Sequence, residues 1–161
     1  MKRVWEAIRM VVVSFECLLV VVVVGVNHFF PRPFQILGDA IMDDAEVVKW
    51  IPVIPLALCA YCFSLAWKLT TPLDGSNSEL FEWPDYWRLK MRRGFSLFLS
   101  ILCAITACGL WIFSKALTHS EVGIVFALTM GISLINTGCM AFATFTLREI
   151  LECKQDQSKE K

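Results

Sequence analysis

The chain has 161 residues, of which 57% are hydrophobic and only 19% charged, with a mean hydropathy of +0.60. These values exclude a disordered chain and are too apolar for an ordinary soluble domain. Fifteen basic residues balance fifteen acidic ones, so direct nucleic-acid binding driven by net positive charge is not expected.

The charges leave four long gaps. Residues 10–30 are broken only by Glu16, and residues 50–67, 94–114 and 122–147 carry no charge. About 20 helical residues cross a hydrocarbon core of about 30 Å. In lipid the backbone satisfies its hydrogen bonds internally, so each run is expected to be a helix. Continuous apolar runs also argue against the alternating pattern of a membrane β-barrel. The expected fold is all-α: an integral membrane protein with four transmembrane helices, an antiparallel four-helix bundle and no soluble domain. The helices are placed at about 8–30, 47–69, 94–114 and 121–147.

The first span follows Lys2 and Arg3, as a secretory signal would. Its apolar stretch is too long for one, and no small-x-small cleavage site follows Val26. Glu16 opposes insertion by about 2.5 to 3.5 kcal/mol if it behaves like Asp at mid-helix. Fourteen Val, Leu and Phe residues in the span, each contributing roughly −0.3 to −0.6 kcal/mol, outweigh it.

The connection over residues 31–46 mixes Pro31, Pro33, Asp39, Asp43 and Asp44 with Phe34, Ile36, Leu37, Ile41 and Met42. Two readings stand for it: a segment lying on the membrane surface, or a short acidic loop. Pro52 and Pro55 fall near the start of the second span, where proline is tolerated or kinks the helix beyond it. Residues 70–93 are expected to form a basic, aromatic interfacial loop, opening with the turn-rich residues 71–78. Trp83, Trp87, Arg88, Lys90, Arg92 and Arg93 are its candidates for contact with lipid headgroups or a partner. The plainer reading is an aromatic anchor with a topogenic charge cluster. The turn over residues 115–120 is too short to hold a domain. The tail, residues 148–161, alternates charge and is expected to extend the fourth helix before fraying.

Lys and Arg are divided twelve to three between the two sets of connections. The bias places both termini in the cytoplasm, an N-in, C-in protein of the inner (plasma) membrane. Nine acidic residues share the twelve-residue basic side, and five share the other.

Glu16 is the sharpest chemical feature, because an ionisable group within a span is by default a candidate functional site. Antiparallel packing is expected to bring it level with Lys68, Ser96, Ser100 and Asn136, as a buried ionisable and polar site. Either a proton- or cation-coupled site or a structural hydrogen bond fits that group. Small residues recur at Ser96, Ser100, Ala104 and Cys108 in the third span, and at Gly123, Ala127, Gly131 and Gly138 in the fourth. Such stripes permit close helix approach, between these two spans or between copies of the chain. Asn136 lies beside them, placed to hydrogen-bond across an interface. The seven cysteines avoid the acidic connections, and Cys59 and Cys62 form a C-x-x-C pair within the second span. Small apolar filler is the favoured role for them. No phosphate-binding loop, catalytic nucleophile with its base, or metal-binding set stands out, and no cofactor is expected.

A glutamate in the first of four helices, with the segment Cys59-Ala60-Tyr61-Cys62 in the second, is similar to the small multidrug resistance transporters. That resemblance implies proton and cationic-drug binding at Glu16. This chain departs from the family in its length, its long basic loop and its strong charge bias. The C-x-x-C pair in a four-helix protein also resembles the thiol–quinone membrane enzymes, which would make Cys59 and Cys62 redox active. Here the pair lies near mid-membrane and a second cysteine pair is missing. In plan alone, with no motif matched, the chain is similar to the membrane subunit of the Kiwa anti-phage system. The leading expectation is therefore a non-enzymatic membrane sensor, anchor or pore subunit that forms homo-oligomers in the bilayer and meets a cytoplasmic protein. A Glu16-dependent transporter or channel and a thiol–quinone enzyme are the alternatives.

Overall fold

The structure is a computed structural model that describes residues 15–70 and 86–159. Residues 8–14 of the first expected span, the turn-rich residues 71–78 and Trp83 lie outside that range. Among the described residues every regular element is helical: α1 (Phe15–Phe29), α2 (Arg32–Met42), α3 (Ala45–Trp50), α4 (Val53–Thr70), α5 (Tyr86–Phe113) and α6 (His119–Lys159), with a 3₁₀ turn at Ser114–Ala116. Three segments are by themselves long and apolar enough to cross a membrane: Glu46–Leu69, Tyr86–Ala116 and His119–Cys153. The pair Glu16–Phe29 and Arg32–Met42 qualifies only together, bent by 99°.

Prolines set the breaks. Pro31 has no N–H with which to extend the ladder of α1, whose last bond runs from Phe30 N to Val26 O at 2.7 Å. The chain turns there, and Pro31 becomes the residue that opens α2, a position where proline is tolerated. The second expected span is likewise interrupted between α3 and α4. Pro52 cannot donate to Val48, so the Val48 carbonyl accepts instead from Ile51 N, three residues on, at 3.4 Å. This short bond tightens the turn between the two helices. Asp44 caps α3 by accepting from Glu46 N at 2.8 Å, a common N-terminal device.

Two apolar clusters fix how the long helices run. At one end Leu65, Ala66 and Leu69 of α4 meet Met140, Leu147 and Leu151 of α6, with Tyr86 and Leu89 of α5 against them. At the other end Ile41, Ile51, Leu110 and Val122 pack together. The last turns of α4 and α6 therefore sit beside the first turns of α5, and α5 is antiparallel to both. We call these the basic end and the α2 end. Large apolar residues cover the outward faces, among them Phe98, Ile105 and Ile112 of α5 and Phe142 and Phe145 of α6. An apolar exterior around a small-residue interior is what a lipid solvent favours.

The connection over residues 31–46 is not a loop. It contains α2, whose buried Phe34, Gly38 and Ile41 recur at helical spacing while Gln35, Ile36 and Asp39 stay exposed. α2 packs across the start of α6, and two glycines make this possible. A Cβ on Gly38 would land on the backbone carbonyl of His119, and one on Gly123 on the carbonyl of Phe34. His119 Nδ1 also meets Asp39 Oδ1 at 2.6 Å, both side chains half exposed. α6 begins with a capping box: Thr118 N and Oγ1 each donate to Glu121 Oε2 at 2.8 Å, and Glu121 N donates to Thr118 Oγ1 at 3.4 Å. That arrangement satisfies free amides at a helix start.

α5 already includes Tyr86, ahead of Gly94, so Arg88, Lys90, Arg92 and Arg93 belong to the same helix as the apolar run. α6 runs unbroken for 41 residues, into the expected tail.

Because a backbone carbonyl cannot swing aside, Gly38→Ala and Gly123→Ala are each expected to destabilise the folded protein by about 2–3 kcal/mol or more. Thermal unfolding in detergent reads this directly. Gly25→Ala meets no atom within 4 Å among the described residues and is expected to leave the midpoint unchanged or raise it slightly, since Gly costs a helix about 1 kcal/mol relative to Ala.

Candidate functional site

The interior between the two apolar clusters is polar and built from small side chains. Ser96, Ser100, Thr129, Ser133, Asn136 and Thr137 are all buried, as are Cys59, Cys62 and Cys103. Hydroxyls away from this interior are satisfied within their own helices: Thr106 Oγ1 donates to Leu102 O at 2.9 Å and Thr144 Oγ1 to Met140 O at 2.8 Å. Such back-bonding removes the cost of a hydroxyl in an apolar setting.

Asn136 is the exception, because its partners lie on two other helices. Its Oδ1 accepts a short hydrogen bond from Ser96 Oγ of α5. Its Nδ2 donates to Ser96 O at 2.9 Å and lies 3.9 Å from Cys62 Sγ of α4. Cys62 Sγ in turn lies 3.2 Å from Thr137 Oγ1. One amide with only 2% of its residue surface exposed thus ties α4, α5 and α6 at one depth. The local sequence explains the placement. Cys62, Leu65, Ala66 and Leu69 share the buried face of α4, while Val122, Thr129, Ser133, Asn136 and Met140 share that of α6, each at helical spacing.

The residues expected around Glu16 are therefore not brought together. Ser96 and Asn136 bond each other, Ser100 is buried within α5, and Lys68 is exposed. α1 packs chiefly on α6 and α2, and where it meets α6, Leu19 Cδ1 would be 2.8 Å from a Cβ on Gly131. Gly131 lies well around the helix from Asn136, since five residues advance an α-helix by about 500°. Glu16 is half-buried one turn before Leu19, and among the described residues no hydrogen bond or ion pair engages it. No group of three or more His, Cys, Asp or Glu side chains among the described residues is placed to hold a metal ion.

The small-residue stripes follow the expectation in part: Ser96 of α5 meets Asn136 of α6. Ser96, Ser100 and Ala104 are buried, but Cys108 is only partly so, and Ala107 and Leu110 continue the buried face. A strict four-residue repeat drifts about 40° per step around a helix of 3.6 residues per turn, which carries Cys108 off the seam. On α6, Gly123 receives α2 and Gly131 receives Leu19 of α1, so among the described residues these glycines face α2 and α1 rather than α5. Ala127 between them is half-buried. Gly138 is exposed, and a Cβ added there would meet no described atom within 4 Å. Sequence reasoning did not pair Cys62 with Asn136 and Thr137; the helical phase that Cys62 shares with Leu65 and Leu69 was the signal. Arg88 stacks over the Trp87 ring at 5.7 Å, while Arg92 is exposed.

The chain matches no protein-family model, no curated protein and no solved structure.

Asn136→Ala is expected to cost about 1–3 kcal/mol, because it leaves the Ser96 hydroxyl and carbonyl without their interhelical partner, while Cys62 keeps Thr137. A double-mutant cycle with Ser96→Ala is expected to give a coupling of about 0.6–1.7 kcal/mol, the range for hydrogen bonds between membrane helices. Thr106→Val, whose hydroxyl bonds only its own helix, is the control. Additive effects of Asn136→Ala and Ser96→Ala would remove the side-chain bond between Ser96 Oγ and Asn136 Oδ1 from the tie, since Ser96→Ala keeps the carbonyl that accepts from Nδ2.

Proposed function

We propose that this protein is a non-enzymatic, multi-pass inner-membrane subunit that couples the membrane to a cytoplasmic partner, with four spans and both termini cytoplasmic. One observation carries this reading: α5 and α6 continue as unbroken helices past their apolar runs at the same end. With 41 residues, α6 is about 60 Å long, twice the hydrocarbon thickness. Its apolar contacts with α5 persist out to Leu151. Beyond Leu147 its surface turns polar, with Arg148 Nε paired to Glu152 Oε1 at 2.7 Å. A rigid rod of this kind transmits a change among the spans to whatever binds its polar tip. Association between copies is proposed along the α6 face that carries Gly138, Leu134, Phe142 and Phe145, all exposed. The twelve-to-three Lys/Arg bias supports the cytoplasmic placement of the basic end.

A photo-crosslinking residue at Glu149 is expected to yield an adduct with a second protein in cells, and one at Phe142 an adduct with another copy of the chain. Failure of both positions to capture any protein would overturn the subunit reading.

A second reading, proton- or cation-coupled transport, draws support from Glu16. Leu19 rests on Gly131, near the middle of the uncharged run of α6, and Glu16 lies one turn away without a partner among the described residues. A lone carboxylate at such depth is costly unless it works. On this reading Glu16→Gln abolishes pH-driven flux in reconstituted vesicles; an unchanged flux sinks it.

A further inference from the structure

The exposed side of α2 divides into two flanks. At about 100° per residue, Arg32, Gln35 and Asp39 fall together on one, and Pro33, Ile36 and Ala40 on the other. All six are exposed, while Phe34, Gly38 and Ile41 form a third, buried strip against the start of α6. The free surface of α2 is therefore polar on one flank and apolar on the other. On the apolar flank Ile36 leaves 68% of its surface open.

The contacts of α2 give these flanks a direction. Asp39 reaches His119, the first residue of α6, so the polar flank points toward the start of that helix. α2 turns 99° from α1 and crosses α6 at Gly123. The opposite flank therefore points along α6 toward its uncharged run, residues 122–147. Depth is marked independently. Ile41 of α2 packs with Ile51 and Leu110, whose chain neighbours Trp50 and Trp111 are both exposed. Tryptophan collects where hydrocarbon meets headgroups. Phe29 and Phe30, at the bend itself, are exposed as well.

We infer that α2 is an interfacial helix lying in the headgroup layer, with Pro33, Ile36 and Ala40 against acyl chains and Arg32, Gln35 and Asp39 in water. Helices of this kind set a polar face against an apolar one in the plane of the bilayer. α2 adds a third face, which it gives to α6. The first crossing then ends at the break between Phe30 and Pro31, and α2 is a lipid-binding surface, not the second half of a bent span. The inference deepens the proposed function, because a helix held by lipid and seated on Gly123 lets lipid packing act on α6. It rests on the membrane placement alone, and on neither the leaflet nor the partner.

A photoreactive diazirine residue tests it, placed at single positions of the full chain in phosphatidylethanolamine–phosphatidylglycerol vesicles. Its carbene inserts into an acyl C–H bond or into water, and mass spectrometry reads which. The ratio of lipid adduct to water insertion is expected to be at least about fivefold higher at Ile36 than at Gln35, its neighbour in sequence. Ile105, exposed midway along the apolar run of α5, is the reference for lipid contact. Water insertion at Ile36 with lipid adducts at Ile105 overturns the interfacial helix and leaves the proposed function standing. Water insertion at Ile105 overturns the membrane placement itself. Equal lipid adducts at Gln35 and Ile36 would make α2 part of a bent span, against the inference. A protein adduct at Ile36 would also overturn it, by giving the flank to a second copy or another protein. If the probe at Ile36 unfolds the chain, the same comparison between Ala40 and Arg32 decides.

Discussion

A buried primary amide must find its hydrogen-bond partners within the protein, and Asn136 finds them on two neighbouring helices. The rest of the packing depends on where that requirement is met. With Ser96 and Cys62 drawn to one depth, the α4–α5–α6 register is set, and the apolar clusters form above and below it. Lipid chains are as apolar as leucine, so burying leucine provides little drive for helices to associate in a membrane. Close contact between small residues and a few interhelical hydrogen bonds must supply it. Ser96, Ser100, Ala104 and Ala107 on α5 allow the approach, and Asn136 specifies which approach is adopted.

α6 divides its circumference between two jobs. The face bearing Val122, Thr129, Ser133, Asn136 and Met140 is buried. The face bearing Gly123 and Gly131 takes the backbone of α2 and the side chain of Leu19. A glycine seat for a backbone carbonyl is a sharper constraint than a general small-residue stripe, because no side chain can yield there. This seat converts the connection over residues 31–46 from a link between spans into a packed cap at the α2 end. At the opposite end α5 and α6 run on together into polar sequence.

Much of the architecture is legible in the sequence. Uncharged runs locate the helices that are long and apolar enough to cross a membrane, and Asn136 stands out there as a candidate for an interhelical bond. Other features read less well. Counting uncharged residues begins the third span at Gly94, but a helix does not end where charge begins, and α5 starts at Tyr86. The repeat ending at Cys108 has a period of four, whereas the buried face follows 3.6. Equal depth suggests that Glu16 would meet Asn136, yet depth leaves the azimuth of each helix open. Leu19 against Gly131 places α1 on another face of α6.

By itself the sequence determined the solvent this protein suits, the positions of its apolar helices and the prolines that break them, because those depend on local composition and backbone chemistry. Only the tertiary structure decided which face of α6 each helix occupies, that Gly38 and Gly123 seat backbone carbonyls, and that Asn136 is engaged while Glu16 stands apart from it. The reason is rotational: a run of apolar residues states how long a helix is, but its orientation about its own axis is chosen by contacts with residues far away in the chain. The balanced charge total likewise concealed an uneven layout. Only the tertiary arrangement brings Lys90 and Arg93 of α5 close to Leu69 of α4.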